Sequence, residues 1–260
     1  MKPEAPVFAS TYPYAACKGM GELVYKRWEA EQIASAESLD ASPMQGFRTL
    51  GQLSRVCPFQ LFSDASTYIT RARSVTSGHF LRSDKDVWFS VDDDIETDAR
   101  VLRDLILACR ATREAVAVPY FNRDGRSATF TRIYGPTEWL EPDRIPVRRV
   151  AAIGMGCVAV HRDLIERLAP IVPWFRESNK GDQRAEPDCP ALFREDVQDG
   201  LWIGEDYYFS ALCERAGAPV RVLLDAVITH QQWKSKLGLD GIMYLMGTAP
   251  EPPQPTDSCV

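Results

Sequence analysis

The chain alternates short apolar runs with longer segments whose apolar residues recur at helical spacing. Val7-Phe8-Ala9-Ser10-Thr11, Pro58-Phe59-Gln60-Leu61-Phe62, Val87-Trp88-Phe89-Ser90-Val91 and Ala115-Val116-Ala117-Val118 have the length and side chains of buried strands. Between them, Leu23, Arg27 and Glu31 keep helical spacing within residues 20–35. Ile69, Ala72, Val75 or Thr76, and Phe80 share one helical face. Val101, Leu102, Leu105, Ile106 and Cys109 form another, with Thr97 or Asp98 placed to cap its helix. Residues 36–54 are polar and irregular and read as a long surface connection. The order strand, helix, strand, helix, strand, helix, strand predicts an α/β fold. Its sheet is Rossmann-like, mostly parallel and flanked by helices in a single domain.

The second half is less regular. Residues 121–149 contain Gly125, Gly135, Pro136, Pro142 and Pro146, which predict hairpins and loops. An apolar, glycine-punctuated run over 150–160 precedes a helix that opens at His161-Arg162-Asp163. Residues 176–200 are polar and read as a lid. Gly204-Glu205-Asp206 opens another helix ending near Gly217, and Val220-Arg221-Val222-Leu223-Leu224 is a strand leading to Val227-Ile228-Thr229-His230. Residues 1–247 are expected to form one domain, followed by a proline-rich flexible tail over 248–260.

The chemistry concentrates where the third strand should end. Asp92, Asp93 and Asp94 follow one another there, and such a cluster repels itself unless a cation neutralises it. A divalent ion with hard oxygen ligands suits it, the plain alternative being a solvated acidic turn. In parallel sheets ligands bind beyond the carboxyl ends of the strands. Thr11, Tyr12, Asp64 and the aspartate triplet all fall at such ends. The loop from Asp92 lacks the glycine that an EF-hand needs at its sixth position.

Composition narrows the setting. The 260 residues are 45% hydrophobic and 25% charged, as in an ordinary soluble protein, with a net charge of −6. That balance argues weakly against a nucleic-acid surface, while leaving room for a local basic patch. No apolar run nears the ~20 residues of a membrane span. Seven cysteines without a CxxC pair read as small core residues of a protein in a reducing cytoplasm.

Taken in order, these residues resemble the GT-A nucleotide-sugar glycosyltransferases of the family 2-like group. The resemblance covers roughly residues 5–232. It rests on Thr11-Tyr12, Asp64-Ala65-Ser66, Arg71-Ala72-Arg73, Asp92-Asp93-Asp94, Gly154-Met155-Gly156 with Arg162, Gly204 to Phe209, and His230. Ser74 departs from it, since the family carries Asn there, and the 36–56 connection is longer than typical.

What the resemblance implies is a metal-dependent transfer of a sugar from a nucleoside diphosphate, expected to be UDP, to an acceptor hydroxyl. Thr11, Tyr12 and Asp64 would contact the nucleotide, although Asp64 is equally placed to cap a helix. Arg71 and Arg73 lie about 200° apart on their helix, so one is expected to face the nucleotide while the other is solvated. Asp92, Asp93, Asp94 and His230 would hold Mn²⁺ or Mg²⁺, with Asp92 and Asp93 also meeting the donor. Gly154 and Gly156 would border the donor sugar. Asp206 would be the base of an inverting reaction, with Glu205 as understudy; the alternative is two acids favoured in a first helical turn. Trp174, Phe175, Trp202, Tyr207 and Tyr208 could stack on a sugar, with core packing the commoner fate. His79 and His161 read as structural. A sugar nucleotidyltransferase would share the sheet and the metal, but Ser10-Thr11-Tyr12-Pro13-Tyr14 is not its glycine-rich loop. A non-catalytic GT-A-like module binding nucleotide or glycan is the remaining alternative.

Overall fold

The structure, a computed structural model, describes residues 6–12, 42, 45–63, 68–122, 125, 127–176, 188–231 and 233–248. The described elements begin with β1 (Val7–Tyr12), α1 (Gln45–Ser54), β2 (Phe59–Ser63) and α2 (Ile69–Arg82). Next come β3 (Val87–Asp92), β4 (Ile95–Thr97), α3 (Ala99–Thr112) and β5 (Ala115–Ala117). The long strands β6 (Phe130–Leu140) and β7 (Ile145–Ile153) precede β8 (Cys157–His161) and α4 (Arg162–Leu168). Short strands β9 (Trp174–Phe175), β10 (Cys189–Pro190), β11 (Asp196–Gln198) and β12 (Leu201–Ile203) lead to α5 (Glu205–Arg215). The described chain closes with β13 (Val220–Leu223), β14 (Val227–His230), β15 (Trp233–Leu237) and β16 (Met243–Thr248).

Eight strands make the central sheet in the order β2-β1-β3-β8-β5-β13-β7-β6. β1 pairs in parallel with β2 and β3, and β13 with β5; β8 and β7 run against their neighbours. The remaining six strands therefore point one way, as expected of a mostly parallel sheet, with β8 wedged antiparallel between β3 and β5. This is a mixed α/β domain whose mostly parallel central sheet is flanked by helices.

Alternation along β3 sorts the core. Val87, Phe89 and Val91 pack on one face with Phe47 and Leu50 of α1 and Leu102, Leu105 and Ile106 of α3. Trp88 packs on the other with Phe80 of α2, Leu164 of α4 and Phe209 of α5. The Trp88 indole N–H, buried in that layer, donates to Ser10 Oγ at 2.9 Å. Asp98 caps α3 as expected, accepting from the Val101 amide at 2.9 Å. The five described cysteines, 57, 109, 157, 189 and 213, are buried free thiols.

Two expectations need correction. Residues 45–54 are a helix with Phe47, Leu50 and Leu53 buried, where a polar surface connection was expected. The apolar residues recur every third position, a narrow stripe easily missed among Gly, Gln, Arg and Ser. The hairpin expected within 121–149 is present and runs past it, over residues 130–153. Of the 176–200 segment, residues 177–187 lie outside the described residues. Its other half is anchored: Cys189, Leu192 and Phe193 are core, and β11 pairs with β12. The expected helix over 20–35 and the tail beyond Thr248 also lie outside the described residues. The pairing of β15 with β14 and β16 adds a four-stranded sheet, β16-β15-β14-β4, that no expectation included.

Helix α1 matters because of what it abuts. The Gly46 amide donates to the Asp93 carbonyl at 3.0 Å. A Cβ at Gly46 would lie 2.6 Å from the Asp92 carbonyl oxygen and 2.9 Å from Asp93 Cα, both backbone atoms that cannot swing aside. Thr49 Oγ1 bridges the Ile95 carbonyl (2.9 Å) and the Thr97 amide (3.2 Å). Gly46→Ala should therefore destabilise the fold by about 1–3 kcal/mol, the usual scale of overpacking. Urea unfolding of both proteins measures it, and equal midpoints would show that α1 can retreat from the acidic turn without cost.

Candidate active site

The acidic triplet sits at a corner between two sheets. Asp92 ends β3, where its amide donates to the Gly156 carbonyl at 2.9 Å. After the turn at Asp93 and Asp94 the chain leaves the central sheet as β4. It pairs there antiparallel with β14, His230 opposite Ile95. A histidine 136 residues downstream of Asp94 is thereby set beside it, with Nε2 3.4 Å from Asp94 Oδ2. His230 Nδ1 lies 2.7 Å from the Phe121 carbonyl oxygen. A carbonyl only accepts, so Nδ1 carries the proton and Nε2 is the nitrogen turned toward the aspartate. The Tyr120 ring lies against the imidazole, centroids 4.7 Å apart.

The opposite wall belongs to Arg73, buried within α2 with its side chain 3% exposed. Its Nη2 donates to both carboxylate oxygens of Asp92, at 3.0 and 3.1 Å. Its Nη1 donates to Glu205 Oε1 at 2.9 Å and Asp206 Oδ1 at 2.6 Å, both in the first turn of α5. One guanidinium thus serves three carboxylates from two distant segments. The two interpretations of Glu205 and Asp206, helix start and reactive pair, describe the same geometry.

The electrostatics follow from this imbalance. Burial raises the Asp206 carboxyl from 3.8 to about 6; Arg73 opposes the rise, while Glu205 and Asp92 add to it. Burial also raises Asp92, with Arg73 pulling it down and Asp94 pushing it up. The Tyr120 phenol, buried and facing Asp92 and Asp206, is held well above its ordinary value.

The other expected site residues are placed as follows. Thr11 is fully buried at the end of β1, and its Oγ1 has no hydrogen-bond partner among the described residues. Tyr12 pairs with Asp92 in register, and its side chain lies outside the described residues, as does Asp64. Arg71 is exposed and, with Arg176, Phe175 and Phe193, lines a groove of about 330 Å³ beside the start of α2. The two arginines thus divide as their spacing predicts, but the inward one meets protein carboxylates. The Cβ position of Gly154 is closed by Thr129 and that of Gly156 by the Tyr120 hydroxyl, so both glycines serve close packing. Of the five aromatics only Tyr208 is buried; Trp202 is 68% exposed, and Trp174 and Tyr207 are also open to solvent. Core packing does not account for most of them.

Tyr120 and Gln231 belong to the site and were not singled out by sequence. Tyr120 stands just past the end of β5, on the same rim as Asp92, and that position was the available signal. Gln231 carries no such signal. Its amide joins Asp94 only because β14 is brought to β4.

A divalent cation is the group the resemblance implies. Among the described residues no three His, Cys, Asp or Glu side chains converge as metal ligands, because Asp92 is turned to Arg73. Asp94 Oδ2 and His230 Nε2 do face one another, the imidazole being held by its other nitrogen as in metal sites generally. Their 3.4 Å separation is close to the roughly 3 Å between neighbouring ligands of a small octahedral ion. These two donors, a carboxylate oxygen and an imidazole nitrogen, are of types a divalent ion accepts.

No family model matches the sequence, nor does any curated protein. Among solved structures, A197 from STIV is similar with a TM-score of 0.47 and 14% identity, over 93% of this chain and 94% of that one. GalNAc-T7 with UDP, GalNAc and Mn²⁺ is similar at 0.41 and 12%, over 87% of this chain and 42% of the other, less than half of its length. Apo UDP-glucose pyrophosphorylase follows at 0.38 and 10%, over 85% and 72%. No described helix is long and apolar enough to cross a membrane.

The raised Asp206 carboxyl has a consequence for stability. The folded protein holds that proton more tightly than the unfolded chain. This contribution is therefore complete below 3.8 and is lost as pH rises through about 6. Asp206→Asn cannot titrate. Its stability relative to the wild type should thus improve steadily across that interval, as urea midpoints at successive pH values would record. Parallel curves would mean that Asp206 titrates as an ordinary exposed carboxylate.

Proposed function

We propose that the chain is a metal-dependent glycosyltransferase that moves a sugar from a nucleoside diphosphate, UDP, to an acceptor hydroxyl. Residues 1–247 would be its catalytic domain. One observation carries the proposal: Arg73 gathers Asp92, Glu205 and Asp206 beside the Asp94–His230 pair, at the carboxyl ends of parallel strands.

In this scheme Asp94 and His230 would hold Mn²⁺ or Mg²⁺, with Asp92 and Asp93 beside them. The bound ion supplies neutralisation of the diphosphate leaving group. Thr11, whose hydroxyl has no hydrogen-bond partner among the described residues, and Asp64 would contact the nucleoside, and exposed Arg71 would meet the diphosphate. Asp206, raised to about 6, is ionised near neutral pH yet basic enough to take the acceptor proton in an inverting transfer. Arg73 keeps that carboxylate oriented. Trp202 and Tyr207, exposed on either side of Glu205-Asp206 in sequence, offer apolar faces to an acceptor ring.

Two measurements test the scheme. Calorimetry should show UDP binding with Mn²⁺ and little or none in EDTA; equal affinity in both would remove the metal from the mechanism. Asp206→Asn should leave UDP affinity nearly intact and lower turnover of the donor roughly 10²–10⁴-fold, the scale of a general base. A variant that loses only stability, with full turnover by the folded fraction, would return Asp206 to a helix-start role.

A further inference from the structure

Gln231 occupies a backbone conformation that its side chain does not favour. Its φ is 53°, in the left-handed region where glycine, asparagine and aspartate are at ease and a longer side chain is strained. Two of its polar groups bond the acidic turn and a third bonds the helix beside it. The backbone amide donates to the Asp94 carbonyl at 2.9 Å, and the side-chain Nε2 donates to Asp94 Oδ2 at 3.0 Å. The carbonyl accepts from Gln45 Nε2 at 2.9 Å, which ties the residue to the first turn of α1. The oxygen it grips, Asp94 Oδ2, is the one that faces His230 Nε2.

We propose that Gln231 is a positioning residue for the cation site, resting on the metal-dependent reading above. An aspartate side chain has two torsions, and a hydrogen bond to Oδ2 restricts both. With Oδ2 held by the Gln231 amide and Nδ1 of His230 held by the Phe121 carbonyl, both donors are fixed before an ion arrives. A carboxylate oxygen has two lone-pair directions, so accepting from Gln231 leaves one for a cation. The left-handed turn is what directs the residue after His230 back onto Asp94 instead of along β15. Glycine would adopt this turn more easily, so the glutamine side chain gives the site something that the turn itself does not require.

That distinction makes the inference testable apart from activity. Gln231→Gly keeps the turn and both backbone bonds and removes only the amide side chain. Gln231→Met keeps the length and the strain and likewise removes the donor. Electron paramagnetic resonance counts free Mn²⁺ directly, so titrations with UDP, corrected by the same titration of UDP without protein, give the dissociation constant of each protein. Both variants should bind Mn²⁺ roughly tenfold or more weakly, the usual effect of losing an outer-shell partner. Thermal unfolding without metal should leave Gln231→Gly at least as stable as the wild type. Unchanged Mn²⁺ affinity in Gln231→Gly, with binding intact in the wild type, would overturn the positioning role alone. A wild type that binds no Mn²⁺ would overturn the metal-dependent reading and this inference with it.

Discussion

A single buried guanidinium holds the two halves of the site together. Arg73 comes from α2, Asp92 from the end of β3, and Glu205 and Asp206 from the start of α5. A buried cation costs several kcal/mol unless its donors are met by carboxylates, and carboxylates at this depth need the cation equally. Neither side is satisfied until the sheet and both helices are in place. Burial raises the carboxyls of Asp92 and Asp206 against the pull of Arg73, and neighbouring acids add to the rise: Asp94 for Asp92, Glu205 and Asp92 for Asp206. A proton can relieve the repulsion among them, and so can a metal ion.

The second constraint is the corner at Asp93 and Asp94. A strand that simply continued in the central sheet would point these residues to solvent. Instead β4 turns out to join β14, and the cross-strand register sets His230 beside Asp94. Helix α1 braces this corner from the other side, which requires glycine at 46 so that two backbones can approach. Tyr120 fills the remaining wall, lying on His230 and reaching into the space left by Gly156. Of the glycine pair in the segment that carries the resemblance, Gly156 admits this phenol ring and Gly154 admits Thr129.

Much of the fold was legible because it is written in local periodicity. The strands at 7–11, 58–62, 87–91 and 115–118, the faces of α2 and α3 and the Asp98 cap required only spacing and side-chain type. Helix α1 was not legible, since its three-residue stripe lies among polar and glycine residues and is stabilised by packing on Phe89 and Ile95. The antiparallel entry of β8 also escaped, because an apolar run signals burial without direction.

The sequence by itself determined the acidic motif at a strand end, the helix start at Gly204 and the strand that ends in His230. Those depend on residues within one or two turns of each other. Tertiary structure alone decided that Arg73 faces inward to Asp92, Glu205 and Asp206 while Arg71 faces out. It also decided that Gln231 grips Asp94 and that Tyr120 backs His230. The physical reason is that these contacts join residues tens to more than a hundred positions apart. Their geometry is fixed by strand register and by the pairing of buried charges, neither of which leaves a periodic trace along the chain.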